Sequence, residues 1–313
     1  MKTALAKNQN TGLRKFIKPY KDNWQLLLLM LPGFLVLLLF CYYPMYGVLI
    51  AFKDFKMLRG ITGSEWVGFE HFQRLFADVE FWRVFKNTLR ISVLKLIVGF
   101  PMPIIFALCL NEIRVTKFKK VIQTVTYLPY FFSWVLLGGI MLMLFSTNGP
   151  VNKMIEMLTG RTISFFGDSH WYIILLLVTH IWQSTGYAAV VFIAAVSGID
   201  MSLYEAATVD GASRWKQTVH ITLPGIMPTI VTVLILNIGS VMAAGFDQIY
   251  NTYNPMVYDV ADIIDTYVLR KLQGMQYDIG TAVGLFKSVI TLILVLFTNK
   301  IVNKLTDGEQ GMW

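Results

Sequence analysis

The chain reads as an all-α polytopic membrane protein with six transmembrane helices, on three observations. Hydrophobic residues make up 55% of the 313 and charged residues only 15%, against about a quarter charged in a soluble domain. Mean hydropathy is +0.57. Six stretches are apolar over the roughly 20 residues that a spanning helix needs, and backbone groups in lipid must be satisfied within their own segment, which makes those stretches helices.

The spans fall at about 24–43, 88–110, 121–145, 171–196, 225–246 and 281–302. They compose one transmembrane domain, 24–304, between an N-terminal tail, 1–23, and a C-terminal tail, 305–313. Span one follows a basic segment and is too long for a cleaved leader's core, with no small-residue site closing it, so it is expected to be retained. Span two carries Lys95 seven residues in. That ammonium either snorkels to the interface or faces a water-filled cavity. Pro101 and Pro103 should kink the same helix. Span three holds the aromatic run Tyr130-Phe131-Phe132 with Trp134, which suits a sugar platform but, near a membrane interface, reads rather as an interfacial belt. Before span two, 69–72 and 81–85 carry apolar residues at helical spacing and suggest short interfacial helices. The segment 247–280 reads as a tyrosine-rich loop whose Asp247, Asp259, Asp262 and Asp265 either are solvated or meet a basic partner.

Lysine and arginine set the orientation. Fourteen lie in the N-terminal tail, after span two, between spans four and five, and at the chain's end; ten lie in the longer intervening loops. The excess marks the first side, with both termini, as cytosolic. The net charge of +8 thus suits anionic lipid and topology rather than nucleic acid. Cys41 and Cys109 sit inside apolar runs, which argues against a disulfide framework. The histidines show no metal-ligand spacing, and no metal or cofactor is implied.

The polar loop at about 199–224 is the most informative segment. It reads Glu205-Ala206-Ala207-Thr208-Val209-Asp210-Gly211, then nine residues, then Ile221-Thr222-Leu223-Pro224. Ser202 and Glu205 have capping-box spacing. Ala206 and Ala207 favour helix and permit close approach of another surface. Gly211 suits a left-handed helix end, and Leu223-Pro224 opens the next element. A helix presenting Glu205 and Asp210 is a docking device; the bland alternative is an ordinary amphipathic surface helix.

This spacing resembles the coupling loop of membrane subunits in type I ABC importers. Further segments resemble the carbohydrate branch of that family, maltose-permease-like and of the polysaccharide-lipoprotein type: Leu31-Pro32-Gly33, Tyr43-Pro44-Met45-Tyr46-Gly47, Phe69-Glu70-His71-Phe72, Asn87-Thr88-Leu89, Tyr127-Leu128-Pro129, Asn254-Pro255-Met256-Val257-Tyr258 and Asp265-Thr266-Tyr267. The resemblance implies the type I ABC importer permease fold and a non-catalytic subunit in a bacterial cell membrane. It implies as partners a cytosolic ABC ATPase, a second homologous permease and an extracellular solute-binding lipoprotein, with a sugar or oligosaccharide as cargo. Glu205, Ala206, Ala207, Asp210, Gly211, Ile221, Leu223 and Pro224 would couple to the ATPase. The sequence has no G-x-x-x-x-G-K-[ST] phosphate loop, so ATP would be bound by that partner.

Sugars bind through hydroxyl hydrogen bonds and aromatic faces. Gln183, Tyr187 and Asn237, on the two spans flanking the loop, answer that demand as pathway residues; the alternative is hydrogen bonding between helices. Two other functions compete. An ion-coupled secondary transporter would need membrane-embedded carboxylates, and the spans hold essentially none. A membrane enzyme would need a catalytic cluster, and Asp168 with His170 has no third partner. Other ABC permeases, for non-sugar solutes, would carry the same loop.

Overall fold

The computed structural model describes residues 23–305. The basic tail 1–22 and residues 306–313, which carry much of the orientation argument and the two terminal assignments, lie outside them.

Helix α1 (Trp24–Phe52) is the first span, longer than the sequence suggests because it runs on through Tyr43-Pro44 as a tighter helix. A two-residue ladder (Lys53–Asp54 with Glu65–Trp66) follows, then the short α2 (Glu70–Ala77). α3 (Val79–Glu112) is span two. Asp78 caps it by accepting from the Glu80 N–H at 2.8 Å, which draws Phe81–Phe85 into the span's first turns; the separate interfacial helix expected at 81–85 does not form. The prolines mark only one irregular residue, Phe100, because Pro101 stands at the first position of the continuing helix, where its missing N–H costs least.

Span three is not the continuous helix 121–145. α4 (Thr116–Tyr127) stops, a tight turn covers Leu128–Phe131, and α5 (Trp134–Phe145) restarts. Pro129 removes a helix N–H and crowds the preceding turn, and the Ser133 hydroxyl caps the new helix at Leu136 N. The long apolar stretch is thereby displaced to Trp134–Thr159.

α6 (Ser169–Ser197), α7 (Met201–Val209), α8 (Arg214–Gly225) and α9 (Met227–Gly239) follow. α8 and α9 meet at a 58° bend, and counting the pair as one span gives six. Span five is shorter than 225–246. It ends at Gly239 and dissolves into a turn at Val241–Ala243, with Ala244 (φ 50°) and Gly245 (φ 78°) left-handed.

The segment 247–280 is folded rather than a loop. It contains α10 (Ile264–Gln273) and buries Ile249, Val257, Ala261, Ile263, Ile264 and Tyr267 against spans two, four and six. Of the four aspartates, Asp262 is fully buried, bound to Arg270 at 2.7 Å. Asp265 binds Lys287 and Asp259 accepts from Ser169. Asp247 and Asp259 are exposed, so the solvated-loop reading fails for Asp262 and Asp265. Asn87 donates from α3 to the carbonyls of Asp259 and Asp262, and the Thr88 hydroxyl accepts from Ile264 N. α11 (Tyr277–Leu305) is the last span.

Candidate functional sites

The loop between spans four and five forms a helix, a glycine break and a second helix. At its start Asp200, not Ser202, is the cap, accepting from Ser202 N at 2.9 Å. Hydrogen bonds from the Ser202 backbone N–H and then its hydroxyl hold this carboxyl below the usual carboxylate range. Ser202 lies inside the helix, so Glu205 has no capping box to close. At the other end Gly211 takes φ 74°. Ala212 N donates to Ala207 O and Gly211 N to Thr208 O, the pair of bonds that closes a helix through a left-handed residue.

The second helix is held against the first. Gln217 Nε2 donates to Thr208 Oγ1 and Ala212 O, and the Tyr204 and Thr222 hydroxyls lie 2.9 Å apart. Arg214 pairs with Glu112 at the end of span two. Glu205, Ala206, Asp210, Gly211 and Pro224 are exposed, whereas Ala207, Ile221 and Leu223 are half-buried. Around the exposed set stand Met201, Leu203, Val209 (87% exposed) and Trp215 (75% exposed). The signal for this apolar rim in the sequence is Trp215, a large apolar residue in a polar loop.

The three pathway residues are not brought together. Gln183 lines a cleft of about 580 Å³ with Tyr130, Phe132, Trp134, Asp247 and Asn251. Tyr187, on the same helix, stacks on Tyr130 with ring centres 4.0 Å apart. The aromatic run stands at the break between α4 and α5, where Tyr130 and Phe131 pack on Tyr187 of span four while Tyr130, Phe131 and Phe132 stay exposed. Asn237 lines a different cavity, of about 350 Å³, between spans two, four and five. Its amide donates to Val233 O of its own helix.

Lys95 does not snorkel. It is buried, and its ammonium donates to Ala244 O at 3.0 Å and Gln248 Oε1 at 2.6 Å. Gln248 Nε2 in turn donates to Leu176 O and Thr179 Oγ1, both at 2.8 Å. A broken helix at membrane depth needs a donor for its freed carbonyls, and Lys95 supplies it. Gly245 is required there: a Cβ would stand 2.3 Å from the ammonium nitrogen. The signal in the sequence was Gly239-Ser240 followed by Ala244-Gly245, a break inside an apolar run.

Residues 99–307 match the family described as binding-protein-dependent transport system inner membrane component. The chain is 45% identical over 295 residues to protein LplB of Bacillus subtilis (strain 168), covering 94% of this chain and 92% of that protein. It is 42% identical over 302 residues to the polygalacturonan/rhamnogalacturonan transport system permease protein YteP of the same organism, covering 96% and 93%. A chain of the bacterial alginate ABC transporter, solved in complex with an alginate pentasaccharide-bound periplasmic protein, superposes with a TM-score of 0.87 at 38% identity, over 95% of this chain and 99% of that one. Similarity at this level over more than half the chain leaves one assignment: the chain belongs to the family of binding-protein-dependent transport system inner membrane components.

Proposed function

We propose that this chain is the permease subunit of an ATP-driven importer, translocating an oligosaccharide delivered by an extracellular solute-binding protein. The observation that carries the reading is the near full-length likeness to an alginate ABC transporter chain solved with a sugar-loaded periplasmic protein. The name of YteP points to the same cargo class.

The finer assignments follow from that reading. A cytosolic ATPase docks on 199–224, with Glu205 and Asp210 as its polar contacts, the exposed rim as its apolar contact and Gly211 as the bend. Half-buried Ala207, Ile221 and Leu223 hold the two loop helices to the bundle, and Ala206 and Pro224 complete the docking face. ATP is bound by that partner, since this sequence carries no phosphate loop. A second permease subunit covers α1, in which no residue of Trp24–Leu37 is buried. Both termini face the cytosol, and residues 24–304 act as one domain in the cell membrane. Gln183 on one cleft, Tyr187 through its stack on that cleft's Tyr130, and Asn237 on the other cavity meet the sugar at successive positions.

Co-purification from solubilised membranes tests the reading. Wild type should bring down an ATP-hydrolysing subunit, and Glu205→Lys should lose it while still inserting. An ATPase absent from both preparations sinks the importer assignment.

A further inference from the structure

The cavity between spans two, four and five holds an ammonium and no carboxylate. Its volume of about 350 Å³ lies within the small-ligand range of about 300–1,000 Å³. Lys95 forms part of its wall, with His180, Ser184, Asn237 and Ser240. A cation buried at membrane depth ordinarily has an acid beside it. Among the described residues no ion pair includes Lys95.

The acceptors that Lys95 does have are neutral and fixed. Ala244 O belongs to a left-handed stretch of backbone, and Gln248 cannot turn its carbonyl away without giving up the two bonds of its amide nitrogen. An ammonium has three donors, so one remains without an acceptor among the described residues. The charge is thus held in place, uncompensated, beside a cavity whose rim is set with the exposed amide of Asn237 and hydroxyl of Ser240.

We infer that this cavity binds the carboxylate of a uronic-acid unit in the imported oligosaccharide, with Lys95 as its counter-ion and the residue that selects acidic over neutral sugars. The inference rests on the importer reading and names its cargo class. A single ammonium matches the single charge of a carboxylate; a phosphorylated sugar would leave its second charge unpaired. Asn237 and Ser240 meet hydroxyls of the same unit.

The test uses the purified permease complex in detergent, without a solute-binding protein, so that the preference measured belongs to the membrane subunits. The probes are radiolabelled tri-galacturonate and its fully methyl-esterified form, in equilibrium dialysis. Wild type should bind the acid about tenfold or more tightly than the ester. Lys95→Gln should abolish that ratio and Lys95→Arg should retain it. Equal binding of acid and ester by wild type, no binding of either, or an undiminished ratio in Lys95→Gln would each overturn the site. If Lys95→Gln does not assemble, the wild-type ratio and Lys95→Arg still decide. A complex that keeps its ATPase but shows no acid preference loses the uronate site alone; a chain that retains no ATPase loses the importer reading.

Discussion

Lys95 and Gly245 form one device made from two distant positions. A Cβ on Gly245 would stand 2.3 Å from the ammonium nitrogen, and the backbone there is left-handed. Gly245→Ala should therefore cost about 2 kcal/mol, through backbone strain and displacement of Lys95 from Ala244 and Gln248. Thermal unfolding in detergent would read that loss, and an unchanged midpoint would mean that the ammonium moves freely. Asp200 offers a cleaner test of local structure. Asp200→Ala should destabilise the loop helix, and Ser202→Ala should have a smaller effect. Hydrogen exchange in residues 201–209 separates the two. Because the folded carboxyl is held below its ordinary pKa, the cap is at full strength above the usual carboxylate range. It is lost as pH falls through the lowered value, so protection of this helix should drop on acidification in wild type and not in Asp200→Ala.

Among the elements, the loop and the close helix contacts behave differently under substitution. Gly211→Pro asks for a φ near −65° where the chain has 74°, and it removes the N–H that Thr208 accepts. Membrane insertion should survive, because the spans are untouched, and ATP-driven uptake should be abolished; normal uptake would refute the coupling role. Gly186 shows what a spanning helix asks of glycine. A Cβ there would lie 2.2 Å from Thr126 O, so α4 and α6 meet backbone to backbone. Gly186→Ala should separate them at a cost of about 1–3 kcal/mol, seen as a lower unfolding midpoint together with loss of the Tyr130–Tyr187 stack.

For the whole molecule, orientation is the measurable property. A cysteine at Asp210 should react with a membrane-impermeant maleimide only from the cytosolic side, and one at Lys271 only from outside, in a background lacking Cys41 and Cys109. Labelling of both from one side would overturn the six-span topology. The face opposite the 199–224 loop is closed by charge. Arg270 bridges Asp262 and Glu80, and the bond to the Asp262 carboxylate holds the guanidinium protonated well beyond its ordinary range. Burial and the neighbouring Tyr258 push the Tyr253 hydroxyl up to about 12, so these groups keep one protonation state across the physiological range. Asp262→Asn should leave Arg270 short of its buried partner and loosen residues 258–273 first.

The sequence by itself determined the composition class, the number of spans and the helix–glycine–helix form of the 199–224 loop. Each of these depends on local quantities: apolar length against bilayer thickness, and a glycine where only a left-handed residue closes the helix. Its errors were of one kind. The capping box failed because Asp200, two residues upstream, takes the Ser202 N–H and places Ser202 inside the helix. The solvated acidic loop, in part, and the snorkelling lysine failed because they treated polar residues as answering to solvent. The tertiary structure gave them partners, some far along the chain: Lys95 binds Gln248, 153 residues away, and Asp265 binds Lys287, 22 residues away. In lipid an unmet polar group is costly enough that such partners decide where the chain breaks. Spacing along the chain does not encode that distance, and this is why the site around Lys95 was decided only by the folded bundle.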